Sequence, residues 1–153
     1  MSQSSALKKP ALTRLHELVD EKISIAEKAV QASQESRDNE TKSSAGDKHE
    51  TGRAMVQIEQ EQNSLQLSKA LDLKKTLNTI SEEPKGDKVQ LGSFIKASNG
   101  YYFISIGVGK VTVNNEIVFA ISAASPVGQL LLNKKVNDTF KIANKEITIQ
   151  EIC

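Results

Sequence analysis

The sequence predicts an α+β protein, helical in its first half and a small sheet in its second. Three observations carry this. Apolar residues recur at spacings of three and four through the first 80 residues. All six aromatics (Phe94, Tyr101, Tyr102, Phe103, Phe119 and Phe140) fall after residue 90. The apolar period then shortens to two, with Asn/Gly turns between the runs. A long segment without aromatics cannot easily fill a thick core, but it can build a thin helix–helix seam.

The 153 residues allow one domain or two small ones. Net charge is +1, so no global field points to nucleic acid or an anionic membrane. The halves differ: residues 1–83 carry −2 and residues 84–153 carry +3. Cys153 is the single cysteine, which excludes an intrachain disulfide and any cysteine-built metal site. A cysteine nucleophile would have to be Cys153, read here as sitting at a mobile terminus. The first residues lack the apolar run of a secretory signal, and no run approaches membrane-spanning length. The plain reading is a soluble, cytoplasmic chain with no membrane partner.

Residues 1–10 read as frayed, with Pro10 in the first turn of a helix. From Ala11 to about Asp38 the pattern is helical. Leu12, His16, Val19, Ile23, Ala26 and Val30 form a heptad-like seam, widened by Leu15 and Leu18. Residues 38–47 are polar and small, as in a turn. A second helix is predicted from about Lys48 to Ile80, with Met55, Ile58, Leu65, Leu73, Leu77 and Ile80 as its apolar positions. Long helices joined by a short polar turn pair antiparallel. The first domain is therefore 1–83, an antiparallel coiled-coil hairpin with its tip near 38–50. An intramolecular hairpin predicts a monomer, whereas a coiled-coil scaffold would be a dimer.

Pro84 and Gly86 end the helix, and residues 84–153 form the second domain. Strands are predicted at Val89–Ala97, Tyr101–Val108, Lys110–Val113, Glu116–Ser122, Thr139–Ala143 and Ile147–Ile152. Turns fall at Ser98-Asn99-Gly100, Asn114-Asn115 and Asn144-Lys145. Ser125 and Pro126 read as the N-cap and first residue of a short helix, Val127–Leu132.

The chemistry concentrates at the tip, Gly46-Asp47-Lys48-His49-Glu50. Asp47 and Glu50 are three apart, and so share a helix face. One reading is a capping box, Asp47 as N-cap and Glu50 at N3. The other is a pair of oxygen ligands for a hard cation such as Mg²⁺, completed by another molecule's groups. Glu40 could add charge from across the turn. A lone exposed His49 is an ordinary surface residue, and His16 on the seam is structural. Gly107-Val108-Gly109 lacks the strand–helix context of a phosphate loop. Lys134 and Lys135 are the most concentrated basic pair, suited to an acidic protein surface or nucleic acid.

The stretch Ile121-Ser122-Ala123-Ala124-Ser125-Pro126-Val127, continuing through Leu131, Lys134 and Asp138, resembles a block of the bacterial Gre transcript cleavage and elongation factors. Gly46-Asp47-x-x-Glu50 is similar to that family's G-D-x-x-E-N, and Glu59 to Gln62 to its Glu/Gln-rich run. The resemblance spans most of the chain, as a divergent member. It implies an FKBP-like second domain and RNA polymerase as partner, with the backtracked RNA, and DNA, of the elongation complex. The Ser125-Pro126 and Lys134-Lys135 region would dock on polymerase and the coiled coil would enter the secondary channel. Asp47 and Glu50 would help hold a Mg²⁺ shared with the polymerase, which then cleaves its own RNA. The chain alone would be no enzyme. Thr51, Gly52, Arg53 and Ala54 stand where the family has Asn and Ala-Glu-Tyr-like residues. That change favours a channel-binding regulator without cleavage as the alternative. Proline isomerisation, a further activity of FKBP-like folds, needs an aromatic-lined pocket, and the chain has no Trp.

Overall fold

The computed structural model describes the backbone of residues 3–42 and 46–153, and the side chains of residues 4–35 and 54–153. Two long helices, α1 (Gln3–Lys42) and α2 (Gly46–Asn78), precede β1 (Phe94–Ala97), β2 (Gly100–Ile104), β3 (Gly109–Val113) and β4 (Glu116–Ile121). A short helix α3 (Pro126–Leu131), then β5 (Thr139–Ile142) and β6 (Lys145–Ile152), complete the chain. The α+β reading holds at this level. The chain divides into two compact units, Glu17–Lys75 and the combination of Met1–His16 with Thr76–Cys153.

Helix α1 begins eight residues before the predicted start. The 3–4 spacing runs on through Ser4, Leu7, Lys8, Ala11 and Leu15, all buried. Lys8 masks the pattern in the sequence, because a lysine reads as a solvated end. Its side chain is 0% exposed, and its ammonium donates to the Glu83 carbonyl at 2.6 Å and the Cys153 carbonyl at 3.3 Å. Pro10 therefore lies inside the helix and removes one backbone donor there. Cys153 is also buried instead of mobile. Its N–H and C=O pair with the C=O and N–H of Phe94, at 2.8 and 2.9 Å.

The sheet has the order β3-β4-β2-β1-β6-β5. It is mixed: β2 and β4 pair in parallel, and every other pair is antiparallel. Side chains alternate between its faces. One face carries Ile95, Ala97, Tyr102, Ile104, Ile147 and Ile149, clustered with Leu131 of α3 and with Phe140. Phe94 and Phe103 alternate to the other face, are fully buried, and meet edge-on at 5.4 Å. The residues of this unit that come from the long helices (Leu7, Ala11, Leu15 and Leu77) are buried too, as is Ile80 just after α2.

The predicted strand at Val89–Ala97 is shorter, Phe94–Ala97. Gly92 adopts φ +93°, which an extended strand cannot continue through. The strand from Tyr101 likewise stops at Ile104 instead of Val108. The Asn114-Asn115 turn forms as predicted, both residues at positive φ (50° and 65°), the pair a type I′ hairpin requires. The last hairpin turns one residue earlier than predicted, at Ala143 (φ 51°) and Asn144 (φ 67°), so β6 already begins at Lys145.

Tyr101 is buried on the sheet, and its phenol is pushed up from the ordinary value of 10.0, first by burial and then by the Glu116 and Glu151 carboxylates. A raised phenol keeps its proton in the folded chain after the unfolded chain has lost it. Stability should therefore fall as pH rises above 10.0. Tyrosinate absorbance of the Tyr102→Phe variant, which has Tyr101 as its one tyrosine, checks this. The signal should appear later in the folded chain than in urea. Lys8→Ala leaves the Glu83 and Cys153 carbonyls without their buried donor and opens a void. It should lower unfolding stability by roughly 2–4 kcal/mol, read from urea denaturation midpoints.

Candidate functional site

The helical unit, Glu17–Lys75, is an antiparallel pair. Asp20 of α1 meets Lys74 of α2 at 2.9 Å. Farther along, the Asn63 side-chain amide donates to the Ala29 carbonyl at 3.2 Å and to Ser33 Oγ at 2.5 Å. The α1 side of the seam is Val19, Ala26 and Ser33, all buried. On α2 it runs through Val56, Gln60, Asn63, Leu67 and Ala70, at alternating spacings of four and three. Two of these are amides, so the pairing is held in register by polar groups as well as apolar contact. A buried Asn specifies register in coiled coils in this way.

The seam shares Val19 and Ala26 with the predicted one and differs at the positions between them. Leu15, not His16, is fully buried; His16, Leu12, Ile23 and Val30 are half-buried. Of the apolar positions predicted for the second helix, Leu77 and Ile80 are buried and Leu73 is half-buried, whereas Met55, Ile58 and Leu65 are exposed, as is Leu71. Reading apolar residues alone missed the part of the seam nearer the tip, because it contains Gln60 and Asn63. Their complementarity to a neighbouring helix is invisible in one sequence.

At the tip, α2 starts at Gly46. Asp47 therefore falls inside the first turn rather than at the cap, and Glu50 follows three residues later in the same helix. Backbone positions so spaced share a face. The side chains of Asp47, Glu50, Glu40, His49 and Thr51 lie outside the described residues, as does that of Arg53. Two carboxylates are a partial donor set for Mg²⁺, which usually takes one or two from protein and the rest from water or phosphates. Among the described residues no cluster of three or more His, Cys, Asp or Glu could hold a metal.

Ser125 does cap α3. Its Oγ accepts from Gly128 N–H at 3.0 Å and donates to the Ser122 carbonyl at 2.7 Å. Pro126 occupies the first turn. Gly128 completes this block: a Cβ there would lie 2.2 Å from the Ser122 carbonyl oxygen, so only glycine fits. Sequence reasoning left Gly128 unnoticed; its place three residues after a Ser-Pro cap was the available signal. Lys134 is half-buried and Lys135 exposed. The Lys134 carbonyl accepts from Val89 N–H at 2.9 Å, and Asn133 N–H donates to the Val89 carbonyl at 2.8 Å. These bonds lay the Lys88 segment beside Lys134, a juxtaposition that 45 residues of sequence conceal. Gly107 and Gly109 lead into strand β3, not into a helix.

The fold and site define an α+β protein with a long antiparallel helical pair, a six-stranded mixed sheet and a serine-capped short helix. No protein-family model matches the chain, and no curated protein matches its sequence. No helix among the described residues is long and apolar enough to cross a membrane.

The cap gives a direct test of the Ser125 block. Ser125→Ala should lower stability by about 1 kcal/mol, and Ser125→Thr, whose hydroxyl can still accept from Gly128 and donate to Ser122, should recover most of it. Thermal unfolding of the three chains measures both.

Proposed function

We propose that this chain is a Gre-like transcription elongation factor that binds RNA polymerase. The coiled coil enters the polymerase secondary channel and stimulates cleavage of backtracked RNA by the polymerase itself. The observation that carries the reading is the pairing of an acidic helix start with a long antiparallel hairpin. Gly46 opens a helix of 33 residues, and Asp47 and Glu50 sit on one face of its first two turns. Such a helix is roughly 50 Å long at 1.5 Å per residue, enough to carry carboxylates deep into a partner. The Ser125-Pro126 block, ordered by its cap, is the proposed docking region together with Lys134 and Lys135, and its FKBP-like character belongs to the same reading.

In this reading Asp47 and Glu50 supply oxygens to a Mg²⁺ held jointly with the polymerase. When bound, that ion provides Lewis-acid polarisation and an activated water for hydrolysis. The chain's own part is to place two negative charges and hold them oriented. It performs no hydrolysis alone and works in the compartment where polymerase is found, the cytoplasm of a bacterium. The second reading is a channel-binding regulator without cleavage. It is favoured by Thr51, Gly52, Arg53 and Ala54, which put a base where the family has an acid.

Halted, backtracked elongation complexes separate the two. Wild type should accelerate release of the RNA 3′ fragment, and Asp47→Ala/Glu50→Ala should lower that rate on the order of 10²-fold while binding is kept. Binding without acceleration by the wild type would leave the regulator and sink the cleavage reading. Failure to bind polymerase would sink both.

A further inference from the structure

In the sheet unit, two loop segments meet where their charges conflict. Val89 N–H donates to the Lys134 carbonyl at 2.9 Å, and Asn133 N–H donates to the Val89 carbonyl at 2.8 Å. Asn133 stands at φ 69°, the left-handed first position of a β-bulge. In an antiparallel bridge the residue before one partner stands level with the residue after the other, so Lys88 comes level with Lys135. Val89 is fully buried, whereas Lys88 and Lys135 are exposed. Lys85 joins them from the same segment. Its side-chain carbons lie over Gly92, the nearest 3.0 Å from where a Cβ would stand. Like charges level across a strand pair cost stability. No side-chain carboxylate relieves them: among the described residues, none lies within ion-pair reach of Lys85, Lys88, Lys134 or Lys135. Asp138 is close, but its carboxylate accepts from the Lys135 backbone N–H at 2.8 Å. The packing of Val89 needs none of these charges, and a local conflict that the fold does not require marks a working surface.

Two apolar residues accompany the lysines. Leu91, just before Gly92, is 42% exposed, and Val136, just after Lys135, is 43% exposed. Apolar contact within a charged margin is the composition of a protein interface. A surface for single-stranded nucleic acid would add aromatic rings on which bases stack. Here Phe94, Tyr101, Tyr102, Phe103 and Phe140 are buried and Phe119 is half-buried. We propose that Lys85, Lys88, Lys134 and Lys135, together with Leu91 and Val136, dock an acidic protein segment that carries an apolar anchor. The inference deepens the docking part of the polymerase reading and rests on it for the identity of the partner, an acidic stretch of the polymerase surface. It adds Lys85, Lys88, Leu91 and Val136 to the docking region, and it assigns the partner's charge.

Interferometry with immobilised bacterial RNA polymerase core enzyme, free of nucleic acid, tests the proposal over a range of salt. The wild-type chain should bind, and less tightly as salt rises. Lys88→Glu and Lys135→Glu should each weaken binding about tenfold. Lys110→Glu, on edge strand β3, should leave it unchanged. Thermal unfolding gives a second readout. Lys88→Glu turns the repulsion from Lys135 into attraction, so the variant should melt no lower than the wild type. A merely structural role would lower stability and binding together, and that result overturns the proposal. Wild-type binding that Lys88→Glu and Lys135→Glu leave intact overturns it and leaves the polymerase reading standing. An equal loss with Lys110→Glu overturns it in favour of general charge attraction. Binding to a DNA–RNA scaffold alone that Lys88→Glu abolishes overturns it and assigns the surface to nucleic acid. Failure of the wild type to bind polymerase overturns the proposal and the polymerase reading together.

Discussion

The unit that contains the sheet depends on one buried ammonium. Lys8 reaches the carbonyl of Glu83, in the linker after α2, and the carbonyl of Cys153, at the end of β6. It thereby ties the first turns of α1 to two segments that are distant in sequence. Cys153 in turn exchanges backbone bonds with Phe94, the first residue of β1. Burial holds the Lys8 amine below its ordinary range, and nearby Lys85 works in the same direction, while Cys153 and Glu83 oppose them. The charge is therefore tolerated because carbonyl oxygens receive it, not because the site is polar overall. The fully buried residues Leu15, Leu77, Phe94 and Phe103 belong to this same unit.

How much of this was legible in the sequence varied with the kind of force at each place. Turns were legible because their chemistry is local: two adjacent asparagines at positive φ make a tight hairpin wherever they occur. The Ser125 cap was legible for the same reason. The start of α1 was not, since the residue that fixes it is a lysine whose partners lie far along the chain. The helix seam was legible only in part because it contains Gln60 and Asn63, and Asn63 looks solvated until Ala29 and Ser33 are beside it. The parallel pairing of β2 with β4 could not be read at all. Strands of five and six residues carry too little pattern to distinguish a parallel neighbour from an antiparallel one.

At the candidate site the balance is similar. The spacing of Asp47 and Glu50 was visible, and their helical context follows from where α2 begins. The packing within the 121–138 block was less so. Its serine, proline and glycine have full structural employment in capping α3 and letting it approach Ser122 closely. Any docking by this block must therefore use what the cap leaves outward, such as Lys135, and not the serine hydroxyl itself. The same economy holds along α2, where the inner amide of Asn63 joins Ala29 and Ser33 of α1.

The Lys8 joint also has a consequence in time. Its two carbonyl partners lie 75 and 145 residues downstream. During synthesis the first turns of α1 leave the ribosome long before Cys153 is made. Helix α1 can coil and pair with α2 early, since those contacts are closer in the chain. The Lys8 ammonium must wait until both carbonyls have been made, and contacts of such separation are slow to form. The nascent chain passes through a stage in which the helical pair is formed and the Lys8 joint is still open.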